Sequence, residues 1–259
     1  MKSGLSTFLI SATLVVAPVF AASPLYAQEF SQNQNVQQLS NQSGQQNGNQ
    51  SENKLVLSWG ADFAKGYFWR GSDMEHKGSF QPYLSATWHN FTLGAWSAFR
   101  ATGDGEDEFD VYISKEIGPL TIALFDYWSY RKDNRPVYFD LDNHTTSHLL
   151  ECQIILTGGE RVPLNFLAGW FFHGADPSKS IYMELQYVHP VFKGEAVIYA
   201  GYQARGDYYA EKPSFVNAGI SLTYPLTIFQ HDNFGVFADL MGSPYTKKLF
   251  FNFGLSFFR

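Results

Sequence analysis

Residues 54–63 read KLVLSWGADF, and two chemistries alternate along them. Leu55, Leu57, Trp59, Ala61 and Phe63 fall on one side of an extended chain, and Val56, Ser58, Gly60 and Asp62 on the other. Period-two alternation belongs to a β-strand with one apolar and one polar face. The pattern returns where Phe80, Pro82, Leu84, Ala86 and Trp88 alternate with Gln81, Tyr83, Ser85 and Thr87. It returns again over 164–173, where Leu164, Phe166, Ala168, Trp170 and Phe172 share a face, and over 216–224, where Val216, Ala218, Ile220, Leu222 and Tyr224 do.

About twelve such segments follow one another, near 54–65, 79–89, 91–101, 107–117, 119–129, 146–157, 162–173, 180–189, 194–205, 214–224, 233–241 and 247–258. Each has roughly the 9–11 residues that a tilted strand needs to cross a bilayer. The links between them alternate in length. Those at 89–90, 117–119, 158–163 and 189–195 are tight; those at 67–78, 101–107, 130–147, 173–180, 205–213 and 241–248 are longer and more polar. The link at 225–233 breaks the rule by being long where a short one is due. Short turns at one end and long loops at the other describe an outer-membrane barrel. The expected fold is therefore an all-β, transmembrane antiparallel barrel of about 12 strands, with 10 or 14 as alternatives.

Composition agrees. Aromatic residues make up 17% of the 259 and charged residues only 16%, against about 25% charged in ordinary soluble domains. Trp88, Trp128, Tyr187 and Tyr224 crowd segment ends, as interfacial girdles do. The last segment, KLFFNFGLSFFR, sets Leu249, Phe251, Phe253, Leu255 and Phe257 on one face. It resembles the C-terminal signal by which outer-membrane barrels engage the barrel-assembly machinery, although Arg259 follows the final aromatic.

Residues 1–27 read as a cleaved secretory signal peptide, with Lys2 before an apolar stretch and small residues at Ala21 and Ala27. Residues 28–53 form a Gln/Asn/Ser tract too polar to bury a core, and are expected to be a disordered periplasmic leader. The barrel then occupies 54–259, in the outer membrane, with both mature termini periplasmic. Removing residues 1–27 takes away one lysine and no acid, leaving 17 basic against 24 acidic side chains, a net of −7. That balance argues against nucleic acid as a partner. The lone Cys152 excludes an internal disulfide and is expected to be a small buried or lipid-facing residue.

With the Leu/Phe/Trp face toward lipid, Asp62, Asp110, Glu116, Glu151, Glu184, Glu195 and Asp239 point inward with Arg100 and Arg205. Charges belong there because the lipid face at mid-membrane penalises them. Asp126 is the misfit, on the lipid face of LFDYW, so a bulge or rim position is expected for it. Asp62, Arg70, Arg100, Asp110, Glu151, Glu184, Arg205 and Asp239 are the expected pore lining. They suit a narrow channel for small solutes or ions with a mild cation preference, and no cofactor or metal. Two alternatives remain: a plugged structural or interaction barrel, and a lipid-modifying hydrolase using His144, Ser147, His148 and Glu151. The second lacks the His-x-Ser step of such enzymes. The sets His76/Asp73/Glu75 and Asp140/Asp142/His144 match no specific ligand spacing.

The stretch GYFWRGSDMEHKGSF, 66–80, carries an aromatic-x-aromatic-Arg-Gly step at Tyr67, Trp69, Arg70 and Gly71. With Gln81 and Pro82, then Gly94 and Trp96, it resembles the TorF-type porin family of Gram-negative bacteria, over roughly 55–130 and again in the final strand. Membership implies an outer-membrane barrel of porin type, with no catalytic residues to carry over. In that setting Tyr67 and Trp69 are expected near the outer membrane interface, SDMEHKG as the first extracellular loop, and Arg70 leaning back toward Asp110 or Asp62.

Overall fold

The computed structural model describes residues 54–131, 137–159, 161–228 and 231–258. The expected signal peptide, the polar leader and Arg259 lie outside the described residues. Fourteen strands are present: β1 (Val56–Ala64), β2 (Phe68–Trp69), β3 (Ser72–Asp73), β4 (Lys77–Trp88), β5 (Phe91–Thr102), β6 (Asp107–Ile117), β7 (Leu120–Tyr130), β8 (His148–Leu156), β9 (Leu164–Gly174), β10 (Ile181–Val191), β11 (Gly194–Arg205), β12 (Ser214–Ile228), β13 (His231–Ser243) and β14 (Lys248–Phe258). All but β2 and β3 form one closed antiparallel barrel of twelve strands. Each barrel strand pairs with its neighbours in the chain, and β1 closes onto β14 from Gly60 opposite Phe258 to Ala64 opposite Gly254. Closure removes the sheet edges that would otherwise recruit other chains.

The two faces separate as the alternation requires. Leu57, Phe63, Leu84, Leu93, Ile113, Leu185, Ile198, Phe253 and Leu255 are exposed outward, while Ser58, Gln81, Ser85, Thr92, Ser114, Thr121, Gln186, Ser221 and Asn252 are buried inward. Cys152 stands on the outer wall of β8, half-buried. The short end turns tightly. His89 and Asn90, the whole link between β4 and β5, both take positive φ (49° and 60°), as a two-residue type I′ hairpin turn demands.

The long link expected at 225–233 is not there. β12 runs on to Ile228 and β13 starts at His231, so the short-then-long rule holds around the whole barrel. β12 last pairs with β11 at Thr223. Pro225 therefore has a neighbour only in β13, opposite Gly235, and an edge-like position tolerates proline.

Three register shifts gather toward the long-loop end. The β8–β9 pairing skips Phe172, β10–β11 skips Ala204 and β11–β12 skips Val216. The last corrects the face expected for Val216, which is buried with Ile155, Leu167 and Tyr182 instead of facing outward. A bulge inserts one residue and re-aims those around it.

Candidate functional site

The chain between β1 and β4 does not rise away from the barrel as an outer loop. It dips into it. β2 and β3 form a small hairpin, Phe68 opposite Asp73 and Trp69 opposite Ser72, joined by Arg70 and Gly71. Both turn residues have positive φ, 44° and 84°, the signature of a type I′ turn, which normally selects Asn or Gly. Arginine there costs on the order of 1 kcal/mol of backbone strain, which surrounding contacts must offset. The tip reaches the opposite wall: a Cβ on Gly71 would stand 2.0 Å from the Val216 carbonyl oxygen. The base is tied by Gly78 N–H donating to the Lys65 carbonyl (2.7 Å) and Gly66 N–H to Asn252 Oδ1 (3.2 Å). We call 65–76 the strap.

Arg70 ends in a closed polar pocket. Its Nη1 and Nη2 donate to Glu151 Oε1 and Oε2 at 2.7 and 2.9 Å, a bidentate pair whose side chains are 2% and 0% exposed. Nη1 also donates to the Tyr209 hydroxyl at 2.8 Å. Glu151 Oε2 accepts from Tyr127 (2.8 Å) and from Gln153 Nε2 (2.7 Å). The guanidinium lies 4.4 Å from the Tyr182 ring centre and 5.0 Å from that of Trp69. A planar, weakly hydrated cation suits this combination of fork and aromatic faces; a lysine does not.

A ring of aromatics closes around the pair. Tyr67, Trp69, Trp96, Tyr127 and Phe171 form one buried cluster with Ala98. Tyr209 arrives from the 205–213 loop, which Gln203 holds inside by accepting from Tyr209 N–H (2.7 Å) and donating to the Ala210 carbonyl (2.5 Å). Burial pushes the Tyr209 phenol well above its usual range, against the pull of Arg70, so it stays a neutral acceptor. Burial, then the nearby Glu108 and Asp110 carboxylates, does the same to Tyr67, which donates to Glu108 Oε1 at 2.9 Å.

Tyr67 and Trp69 are thus inside the barrel, not at the membrane interface, and Arg70 forms its bidentate pair with Glu151 on β8. Alternation governs a residue only while its strand continues, and β1 ends at Ala64. Below the strap the wall is acidic. Glu184 accepts from Tyr182 (2.5 Å), Gln186 (2.7 Å) and Asn217 (3.3 Å); Asp239 accepts from Ser221; Asp62 lies opposite Ser256. Asp110 and Glu116 are buried inward on β6, and Glu195 is half-buried on β11. Arg70 is the one buried Lys or Arg among the described residues. Arg100 is half-buried, 3.6 Å from Asp107 and bonded to the Gly105 carbonyl. Arg205 is exposed at the end of β11 rather than in the interior.

The sequence reading missed Glu108, which shares the inward face of β6 with Asp110, and Asp107, which holds Arg100. The step of two between Glu108 and Asp110 was a usable signal for the first. Nothing local could have flagged Tyr182 and Tyr209 as partners of Arg70, or Tyr127 as a partner of Glu151, because separate segments bring them together.

The outer wall near the long loops holds a second polar group. Asp126 pairs regularly with Val111 and Leu150, so no bulge rescues it. Instead His148 Nδ1 bonds Asp126 Oδ1 at 2.7 Å, and His148 Nε2 bonds the Tyr138 carbonyl. Trp128, expected in an exposed girdle, is buried against Tyr138, Tyr130 and His148. This arrangement separates the residues of the hydrolase alternative. His148 faces outward with both nitrogens engaged, Glu151 faces inward, and His144 and Ser147 are exposed in the loop. Three residues along a strand put two side chains on opposite faces. The loop acids cap turns: Asp73 accepts from Glu75 N–H and Asp142 from His144 N–H, each at 2.9 Å.

No family model matches the sequence, and no curated protein matches it. Several solved structures are similar. A KdgM porin shares 10% identity at a TM-score of 0.46, over 78% of this chain and 97% of that one. A KdgM porin in complex with disordered oligogalacturonate shares 8% at 0.45, over the same shares. A multiply substituted Rh. blastica porin shares 11% at 0.39, over 80% of this chain and 74% of that one. At such identities nothing about individual residues transfers from them.

Proposed function

We propose that the chain is an exported outer-membrane channel of porin type for the passive passage of small solutes, with a mild preference for cations. The observation that carries this reading is the charge of the inner wall. Asp62, Glu108, Asp110, Glu116, Glu184, Glu195 and Asp239 line it from five strands, whereas its buried cation, Arg70, is neutralised by Glu151. Carboxylates facing a narrow water-filled path attract cations and repel anions. Asp62, Arg70, Arg100, Asp110, Glu151, Glu184 and Asp239 are the pore-lining set, with Arg205 at its mouth.

The apolar outer face supports a bilayer setting, and the short-turn end, which holds the N-terminus of β1 and the C-terminus of β14, is the periplasmic side. The reading includes a cleaved signal peptide and insertion by the barrel-assembly machinery through the final strand. The reading extends to kinship with the TorF-type family, supported by Tyr67, Trp69, Arg70 and Gly71 with Gln81, Pro82, Gly94 and Trp96.

Recording in planar bilayers under a salt gradient tests the reading. The reversal potential is expected on the cation side, moving toward zero in Glu184→Gln with Asp239→Asn. Clear anion selectivity would sink it. The strap favours a second reading, a barrel closed by its own loop and serving as a scaffold, for which no bilayer recording shows current.

A further inference from the structure

The interior is filled in the described state. Tyr67, Arg70, Trp96, Ala98, Glu151, Gln153, Phe171, Tyr182, Gln203 and Asn217 are each 2% exposed or less, although all of them belong to the strap or to the inner wall around it. With the strap seated, side chains fill the barrel at that level. The strap, however, is built differently from the wall. Its hairpin has only two residues in each arm and pairs with no barrel strand. It is held mainly by side chains: the bidentate ion pair, the Arg70–Tyr209 and Tyr67–Glu108 hydrogen bonds, and ring contacts such as Trp69–Tyr127 at 5.3 Å. An element held this way opens at less cost than a strand in a closed barrel, which must break a ladder on both sides.

Resting on the channel reading, we propose that the strap is a gate and that the Arg70–Glu151 pair is its latch. Seated, the strap spans the barrel from the β1–β4 side to Glu151 on β8, Tyr182 on β10 and Val216 on β12. Released, it swings on Lys65–Gly66 and His76–Gly78 toward the long-loop mouth, and the level of Ala98 and Glu151 opens to that side. The pair is suited to holding two states apart. Buried, it is satisfied by five hydrogen bonds and by ring contacts; opened, both charges regain water. The net difference is therefore small compared with either term alone.

Two independent readouts test this. Ala98, fully buried under the strap, serves as a reporter in an Ala98→Cys, Cys152→Ser protein labelled with a membrane-impermeant maleimide from the long-loop side. Glu151→Gln keeps the side chain's shape and removes its charge. It is expected to raise the labelling rate and the single-channel open probability each by tenfold or more. A barrel in which 67–75 is replaced by a short turn is expected to be open continuously, with heat-modifiable gel migration confirming that it has folded. Labelling unchanged by Glu151→Gln overturns the latch, whatever the barrel conducts. Faster labelling with no current, even from the strap-shortened barrel, overturns the channel reading and leaves the latch in place.

Discussion

Gly169 on β9 leaves the space that Glu151 on β8 occupies. A Cβ at 169 would come within 2.0 Å of Glu151 Oε1 and 2.7 Å of its carboxyl carbon, so the absence of a side chain at one position seats the charge at the other. Arg70 reaches that carboxylate from a segment 81 residues away. The seat and the latch are thus one construction, and both halves can be disturbed separately.

Gly169→Ala is expected to push Glu151 off its bidentate geometry while adding only a methyl group. Overpacking of this kind costs about 1–3 kcal/mol. The denaturant midpoint of the barrel in vesicles should fall accordingly. The labelling rate at Ala98→Cys should rise as it does for Glu151→Gln.

Breaking the pair from one side leaves the other charge buried. Glu151→Ala is expected to lose about 3–5 kcal/mol, and Arg70→Leu with Glu151→Leu to recover part of that, because the double variant leaves no buried charge without its counter-ion. Comparing the midpoints of the single and double variants measures the difference. A double variant no better than the single would mean that the pocket depends on charge rather than on filling.

Acid should loosen the strap at its base. His76 is buried between the Tyr67 ring (5.3 Å), Ser79 Oγ (3.1 Å to Nδ1) and the Glu106 carbonyl (2.6 Å to Nε2). Burial lowers its pKa from 6.5, only partly opposed by the Glu106 carbonyl and the Asp107 and Asp73 carboxylates, with Arg100 acting in the same direction as burial. The released form therefore takes up a proton first. The stabilising contribution of neutral His76 is complete above about pH 6.5 and declines as pH falls through that value. Denaturation midpoints at about pH 7.5 and about pH 5 should differ more for the wild type than for His76→Gln. Equal differences would remove His76 from the account.

On the outer wall, His148→Ala strands Asp126 on an apolar face and removes the anchor of the Tyr138 carbonyl. A loss of about 1–3 kcal/mol is expected, with faster proteolytic cleavage within 131–147. Phospholipid hydrolysis by the purified barrel should stay at background in wild type and variant alike. Hydrolysis that disappears in the variant would revive the lipid-modifying alternative.

Much of this architecture was legible in the chain. Twelve strands, their ends to within a few residues and the facing of Leu57, Phe63, Ser58 and Asp62 follow from a period of two, which is a local property that lipid on one side and water on the other enforce along every strand. Where the period is interrupted, the sequence stops being informative. A skipped residue turned Val216 inward, β12 ran on through the link expected at 225–233, and Asp126 found its partner across the β7–β8 seam. The strap is the largest case. A type I′ turn at Arg70-Gly71 is a local event, but its direction depends on Glu151, Tyr127, Tyr182 and Tyr209 converging from β7, β8, β10 and the loop after β11. The sequence by itself determined that there is a barrel and which side of its wall is acidic. Only the tertiary structure decided that the first loop closes it, because a buried ion pair depends on desolvation by residues that are neighbours in space and not in the chain.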